Sequence, residues 1–227
     1  MESLNYKVIF SNRRSISIVL HPAKGITVRA PYRTSLKTIE KFVFQKAGWI
    51  QKTLNKYKGA KSLNEDKRFA AGEKIIFMGR EYELKVTHSA RDYITLHDNI
   101  IEIYVSNEND PHMIRSKLNR WYINKAREII PGRIIEIINK YNNYAFVPTG
   151  IRIRKMKSRW GSCNSKGRVT INSELVKVNA KLIDYVIVHE LCHLKCHNHG
   201  SEFYRLLQSL VPDYEALRKE LRTYHLE

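Results

Sequence analysis

The chain has few of the features that place a protein in a membrane or in an oxidising compartment. No apolar run reaches the length of about 18 residues typical of a membrane-spanning helix. Residues 1–6 carry neither the basic flank nor the apolar stretch of a secretory signal peptide. The three cysteines are an odd number and include no CxxC pair, which argues against a disulfide framework. These absences predict a cytoplasmic protein that does not enter a membrane.

Acidic residues are also scarce, since 22 Asp and Glu face 40 Lys and Arg and give a formal net charge of +18. Residues 1–60 hold twelve of the basic residues against only Glu2 and Glu40, a net charge of +10 for that segment. Such an excess attracts nucleic acid and other polyanions over a long range. It equally fits a role in solubility, because Lys, Ile and Asn are abundant throughout and no nucleic-acid-binding motif is present. Both interpretations stay open.

The clearest chemical signal is the HExxH motif His189-Glu190-Leu191-Cys192-His193. Residues four apart lie on one helical face, so the two imidazoles can bind one zinc ion at about 2.1 Å each. Glu190 then points beside the metal, where it can take a proton from the water that attacks a substrate. Zinc lowers the pKa of its bound water to roughly 7, which makes this chemistry accessible at neutral pH.

A catalytic zinc usually has three protein ligands and one open position, so a third ligand is expected. His197 is unsuitable, because an unbroken helix from His189 to His197 spans about 12 Å at 1.5 Å per residue. His199 lies past a predicted helix end, marked by Asn198 and Gly200, and the chain can fold back to bring it to the ion. Glu202 is the alternative third ligand.

Two other interpretations of the motif must be weighed. HExxH occurs by chance in helices that bind no metal, but here it ends an apolar helical run over residues 180–188 that should be buried. Buried polar groups without partners cost about 1 to 3 kcal/mol each, and a metal would satisfy them. Alternatively, Cys192, Cys196 and Cys163 could complete a closed structural zinc site. That arrangement leaves Glu190 without a role, so the sequence favours an open, catalytic site.

Further segments surround the motif in a fixed order: residues 156–163, 169–172 and 185–191, then Asn198, His199 and Phe203. Together they resemble the YgjP-like metallopeptidase domain, whose active-site helix is related to that of the SprT-like zinc proteases. The resemblance extends to about Tyr204. It implies a zincin-type core with one Zn²⁺ ion bound by His189, His193 and His199 and with Glu190 as general base. The histidine spacing also fits the metzincins, but Cys196 replaces their glycine and no methionine follows His199.

The hydrophobic pattern predicts an α+β fold. In the first part, antiparallel strands are expected over residues 6–11, 15–21 and 25–30, followed by a helix over 36–57 and a linker over 58–68. Antiparallel strands are then expected over 74–78, 81–86, 93–96 and 100–105, followed by a helical stretch over 110–141 that Pro131 should kink or break near Ile130. The last elements are strands over 151–156 and 168–171, the motif helix from Ala180, and helices over 199–210 and 213–224. We therefore expect a β-rich basic region with one helix over residues 1–107. A zincin-like core follows over 108–227, in which the HExxH helix packs on a small mixed sheet.

Two segments are candidates for substrate binding. In zincins the strand before the active-site helix commonly lies at the edge of the sheet, so a peptide can add to it as another strand. If the resemblance holds, that edge consists of Val169, Thr170, Ile171 and Asn172, although an ordinary core strand would have the same pattern.

The second segment comprises Arg159, Trp160 and Gly161. An aromatic residue followed by glycine can form a cleft wall that approaches a ligand closely, or it can anchor a loop on the core. In the cleft interpretation, Arg159 binds a substrate carboxylate or phosphate. Tyr204 and His225 are weaker candidates for stabilising an oxyanion.

These observations predict a zinc metallopeptidase that cleaves amide bonds of a peptide or protein substrate. The same site could instead hydrolyse a nucleotide phosphoanhydride if arginines and lysines clamp the phosphates. The third hypothesis is a non-enzymatic, basic nucleic-acid-binding module with structural zinc. It predicts four protein ligands and an intact function after Glu190→Gln.

Overall fold

The computed structural model describes residues 4–21, 25–58, 61–62 and 69–226. The fold is α+β, as predicted, and the chain divides into two compact units, Met1–Lys61 and Ser62–Glu227. The predicted linker over residues 58–68 lies largely outside the described residues. None of the helices in the described ranges combines the length and apolar character needed to cross a bilayer.

The first unit contains a three-stranded sheet and two helices. Its elements are β1 (Tyr6–Ser11), β2 (Ser17–His21), β3 (Gly25–Pro31), α1 (Leu36–Gln45) and α2 (Ala47–Lys58). The strand order is β1-β3-β2, with β3 parallel to β1 and antiparallel to β2. The expected all-antiparallel sheet is therefore wrong, because β3 lies between β2 and β1 and is parallel to β1.

The two helices replace the single predicted helix, and Lys46 separates them. Ser35 caps α1, since its Oγ accepts a hydrogen bond from the backbone N–H of Thr38 at 3.2 Å. Alternation along β3 buries one face of the strand against both helices. The core of this unit consists of Ile26, Val28, Ala30, Ile39, Val43 and Ile50.

The second unit begins, after the short strand β4 (Lys61–Ser62), with a four-stranded sheet of order β5-β6-β8-β7. Its strands are β5 (Lys74–Phe77), β6 (Arg80–His88), β7 (Tyr93–His97) and β8 (Ile100–Val105). β6 and β8 are parallel, so this sheet is also mixed rather than antiparallel. The remaining elements are α3 (Pro111–Lys140), β9 (Gly150–Arg154), β10 (Gly161–Cys163), β11 (Arg168–Asn172), α4 (Ala180–Cys192), α5 (Ser201–Leu210), α6 (Tyr214–Leu221) and β12 (Tyr224–His225), with 3-10 turns over Asn142–Tyr144 and Ser173–Lys177.

The four-stranded sheet shares one hydrophobic core with the motif helix α4. Leu84 and Ile101 of the sheet belong to the same buried cluster as Ile187 and Leu191 of α4. The structure therefore divides the chain between residues 61 and 62, whereas the sequence placed a boundary between residues 107 and 108.

A kink or a break was expected near Ile130, and the break is absent, because α3 continues through Pro131 as one helix. Ile130 and Ile134 are fully buried on either side of the proline, so packing offsets the lost backbone hydrogen bond. The carbonyl deprived of its partner belongs to Arg127, an exposed residue, where water can replace the missing donor.

The sheet next to the motif helix has the order β10-β11-β9 and is mixed, with β11 antiparallel to β10 and parallel to β9. The helix α4 packs against β10 and β11. The predicted arrangement of an HExxH helix on a small mixed sheet is confirmed.

Candidate metal centre

Local sequence positions the first two histidines at the end of α4. The helix begins at Asn179, whose Oδ1 accepts a hydrogen bond from the backbone N–H of Leu182 at 3.0 Å, and it ends at His193. The chain then turns before α5, and this turn returns His199 to the helix end. The Nε2 atoms of His189 and His199 lie 3.1 Å apart.

The three imidazoles are close enough to share one ion. One ligand atom from each of His189, His193 and His199 lies within 4.8 Å of the others. Nitrogens around a tetrahedral zinc ion are separated by roughly 3.4 Å, given bonds of about 2.1 Å. The spacing therefore fits a single metal ion.

No fourth protein ligand joins this cluster within the described part of the chain. Glu202, His197 and the Cys196 thiol are not members of it. Cys196 contributes through its backbone instead: its carbonyl oxygen lies 3.0 Å from His193 Nδ1. Because a carbonyl can only accept, Nδ1 carries the proton and Nε2 keeps its lone pair for a metal.

Phe203 packs with its ring against the imidazoles of all three histidines. It is fully buried, and its ring centroid lies 4.9 Å from that of His189 and 4.7 Å from those of His193 and His199. From the sequence, Phe203 was identified only as one of the residues that carry the family resemblance. The apolar periodicity of α5 could have indicated that Phe203 is buried, but not that it contacts the imidazoles.

The electrostatic environment favours the neutral forms of His189 and His199, as metal binding requires. Burial lowers the pKa of His189 to about 3, and the charges of His193, His199 and Arg218 act in the same direction. Burial, His193 and Arg218 also lower the pKa of His199. In addition, His189 Nδ1 is buried and has no hydrogen-bond partner among the described residues. Three converging imidazoles suit a divalent ion such as zinc.

Glu190 lies beside this cluster in a confined environment. Its side chain is buried, and burial raises the pKa of the carboxyl to about 8, against the opposing effects of Arg159 and a backbone hydrogen bond from Cys163. Its Oε2 has no hydrogen-bond partner among the described residues. A Cβ added to Gly161 would lie only 2.6 Å from Glu190 Cγ and Oε1. The close approach of strand β10 to this carboxylate therefore requires glycine at position 161.

The predicted substrate-binding edge needs correction. β11 pairs with β10 on one side and β9 on the other, so the backbone of Val169, Thr170 and Ile171 is not open to a substrate strand. Val169 and Ile171 point into the core, whereas Thr170 is half-buried opposite Ser162. Within the described residues, the strand with an unpaired edge beside Glu190 is β10. The order of the strands, which the sequence did not reveal, causes the difference.

Asn172 has a structural role, because its side chain hydrogen-bonds to the loop before β10. It is fully buried, its Oδ1 accepts from the backbone N–H groups of Met156 and Glu174, both at 3.1 Å, and its Nδ2 donates to the carbonyls of Met156 at 2.8 Å and Arg159 at 2.9 Å. Its own N–H donates to the Trp160 carbonyl at 2.8 Å. These bonds hold the loop that leads into Gly161. They occupy the side-chain oxygen and nitrogen of Asn172, which are therefore not available to a substrate.

The loop before β10, which contains Arg159 and Trp160, borders the site. Trp160 is half-buried against the core, and the exposed Arg159 places its positive charge close enough to affect the pKa of Glu190. On the other side, the Tyr204 ring lies 6.2 Å from that of His199, and the Arg218 guanidinium lies 5.8 Å from the Tyr204 ring centroid. No motif in the sequence pointed to Arg218 as a residue near the site. The side chain of His225 lies outside the described residues.

A family model, the YgjP-like metallopeptidase domain, matches residues 14–224. The chain belongs to this family. As a YgjP-like protein it is a metal-dependent peptidase in the general sense, and the three-histidine cluster supplies residues that could hold the metal.

Two solved structures are similar to parts of the chain. The metallopeptidase zymogen jannalysin of Methanocaldococcus jannaschii is 26% identical, with 40% of this chain and 92% of that chain covered and a TM-score of 0.36. The metallopeptidase zymogen abylysin of Pyrococcus abyssi is 18% identical, with 44% of this chain and 100% of that chain covered and a TM-score of 0.38. No curated protein matches the chain.

Proposed function

We propose that this YgjP-like protein is a zinc peptidase that hydrolyses amide bonds with Glu190 as the general base. The observation that carries the proposal is the position of the Glu190 carboxylate. It is buried, one of its oxygens has no partner among the described residues, and it adjoins three converging imidazoles. A buried carboxylate of this kind is costly to the fold unless function uses it.

His189, His193 and His199 would hold the zinc ion. When bound, zinc polarises the substrate carbonyl and lowers the pKa of water to roughly 7. Glu190 takes the proton from the attacking water and delivers it to the leaving amine. Burial raises the pKa of this carboxyl to about 8, which is close enough to neutral pH for the same group to accept a proton and then release it. Phe203 and the Cys196 carbonyl keep the imidazoles oriented throughout.

The substrate in this proposal is a peptide or an unfolded segment of a protein. It would lie along the unpaired edge of β10 and extend the three-stranded sheet by one strand. This edge begins at Gly161, which contacts Glu190, so the backbone of a bound peptide would pass next to the general base. Arg159 would bind a carboxylate of the substrate.

The number of histidine ligands argues against the structural-zinc hypothesis. A closed structural site needs four protein ligands, and the cluster in the described residues provides three. The nucleotide-hydrolase hypothesis has the support of Arg159 and Arg218, whose charges both act on the site. A test of the function must therefore include a phosphoanhydride substrate beside the peptides.

The test uses the zinc-loaded protein with unfolded casein, a fluorogenic peptide library and a nucleoside triphosphate. We expect peptide cleavage by the unchanged protein and a loss of about 10² to 10⁴ in kcat for Glu190→Gln, with one zinc per chain retained. Glu128→Gln is the matched control, because Glu128 is an exposed glutamate of α3 that pairs only with Lys125 among the described residues. Equal peptidase activity in Glu190→Gln and the control would contradict the proposal. Turnover of the triphosphate without peptide cleavage would favour the nucleotide hydrolase.

A further inference from the structure

The outward face of the two helices in the first unit combines basic and aromatic side chains. We define the outer stripe as Lys37, Lys41 and Phe44 of α1 together with Trp49 and Lys52 of α2. All five are exposed, and the two aromatic residues are unusually so, at 68% for Phe44 and 50% for Trp49. A single exposed aromatic residue is normal on a protein surface, but aromatic rings interleaved with lysines suit a partner that offers both negative charge and flat rings.

Helix geometry explains why these residues share one surface. Lys37, Lys41 and Phe44 follow the spacing i, i+4, i+7, and Trp49 precedes Lys52 by three residues. Helical hydrogen bonds continue on both sides of the break at Lys46, since its N–H donates to the Phe42 carbonyl at 3.3 Å and its carbonyl accepts from the Ile50 N–H at 2.9 Å.

The opposite face of the same helices is already occupied. Ile39, Val43 and Ile50 are buried against the sheet of their own unit. The outer stripe therefore points away from the core of the unit, as periodicity requires for residues on the far side of a helix.

The charge of this surface is almost entirely of one sign. In the described residues 4–21 and 25–58, Glu40 is the sole carboxylate. None of the three stripe lysines forms an ion pair within the described part of the chain. Their charges are thus available to an external anion.

Two classes of polyanion could use such a surface, and the structure favours one. An anionic membrane would require a continuous apolar face for insertion, but the apolar face of these helices is turned into the core. The exposed positions of α1 and α2 carry the stripe lysines and the two separate aromatic rings, together with the single apolar Leu36 and the single carboxylate of Glu40. Lysines that neutralise phosphates, interleaved with rings on which bases stack, are the features of single-stranded nucleic acid binding.

We propose that the outer stripe binds single-stranded nucleic acid. Lys37, Lys41 and Lys52 contact the phosphates, and Phe44 and Trp49 stack on bases. The proposal does not depend on the peptidase function, because none of these residues belongs to the metal centre.

The test is fluorescence anisotropy of the full-length protein with a labelled 20-nucleotide oligo(dT), over a series of salt concentrations. We expect Lys41→Glu/Lys52→Glu to weaken binding at least tenfold and to reduce the slope of log K against log[salt] by about 1.4, since each phosphate contact to a single strand contributes about 0.7. Phe44→Ala and Trp49→Ala should each weaken binding about fivefold or more, because stacking is lost, and leave the slope unchanged.

A second double variant supplies the matched control. Lys7 and Arg29 are exposed on the other face of the sheet, away from the helices, since Val8 and Val28 point inwards between their neighbours. Lys7→Glu/Arg29→Glu changes the net charge by the same amount and should weaken binding less than threefold. Circular dichroism spectra of all variants should match that of the unchanged protein.

Three results would overturn the proposal. Equal losses in the stripe and control variants would show diffuse attraction to the whole unit. No effect of the aromatic substitutions would remove base stacking. Tighter binding to vesicles of phosphatidylserine than to oligo(dT), with loss in the stripe variants, would make the surface a membrane contact.

Discussion

Replacing Gly161 with alanine should reduce catalysis while leaving the metal in place. The new Cβ would lie 2.6 Å from Glu190 Cγ and Oε1 and 2.8 Å from Cδ. Ordinary van der Waals contact begins near 3.4 Å, so the carboxylate must move by about 0.8 Å. Glu190 is buried and cannot relax into solvent. A misplacement of about 1 Å in a catalytic group can cost roughly 100-fold, so we expect kcat/KM to fall by about 10- to 100-fold.

The assay follows peptide hydrolysis by Gly161→Ala together with its zinc affinity and its thermal unfolding. Zinc affinity should not change, because a Cβ at position 161 would meet Glu190 rather than the histidines. Gly150→Ala is the matched control in the same sheet: its Cβ would meet only Arg168 Nε, at an ordinary 3.8 Å. Full activity in Gly161→Ala, or a loss of zinc parallel to the loss of activity, would refute the reasoning.

The remaining predictions concern the metal ligands and an ion pair. His199→Ala should weaken zinc binding by more than about 100-fold in a competition titration, whereas Glu202→Gln and Cys196→Ser should keep one zinc per chain; zinc loss in either of the latter would redefine the ligand set. Burial raises the pKa of Glu174, but Lys177 and Lys155 more than offset burial and hold the pKa below its usual 4.5. The ion pair therefore contributes stability above about pH 4.5 that is lost as the pH falls through the lower, folded pKa. Glu174→Gln should lose about 3 to 5 kcal/mol at neutral pH, because Lys177 is fully buried, and chemical denaturation should show this gap closing towards acid pH.

The metal centre was largely predictable because its main determinants are local. Two histidines at i and i+4 converge on any helix, and the helix itself could be inferred from the apolar run before them. The sequence also placed His199 beyond a helix end marked by Asn198 and Gly200, residue types that terminate helices. His199 does lie beyond the helix, but α4 ends earlier, at Cys192 with His193 as its C-cap. These features depend only on neighbouring residues, so the linear sequence contains them.

The surroundings of Glu190 were not predictable in the same way. Nothing in the sequence indicates that β11 is the middle strand or that Gly161 contacts the Glu190 carboxylate. Nor does the sequence indicate that the side-chain amide of Asn172 hydrogen-bonds to the loop before β10. The continuity of α3 through Pro131 likewise depends on packing partners, which outweigh a strong local preference.

The sequence by itself thus identified the three candidate ligand histidines, the glutamate that we propose as general base, and most of the strands and helices as separate elements. It missed β10 and predicted one helix where the structure has α1 and α2. The tertiary structure alone decided the order and direction of the strands, the unpaired edge available to a substrate, and the placement of Phe203 beneath the imidazoles. The physical reason is the range of the interactions. Helix periodicity and capping act over a few residues, whereas strand pairing and core packing join residues far apart in the chain, and many pairings satisfy the same local pattern.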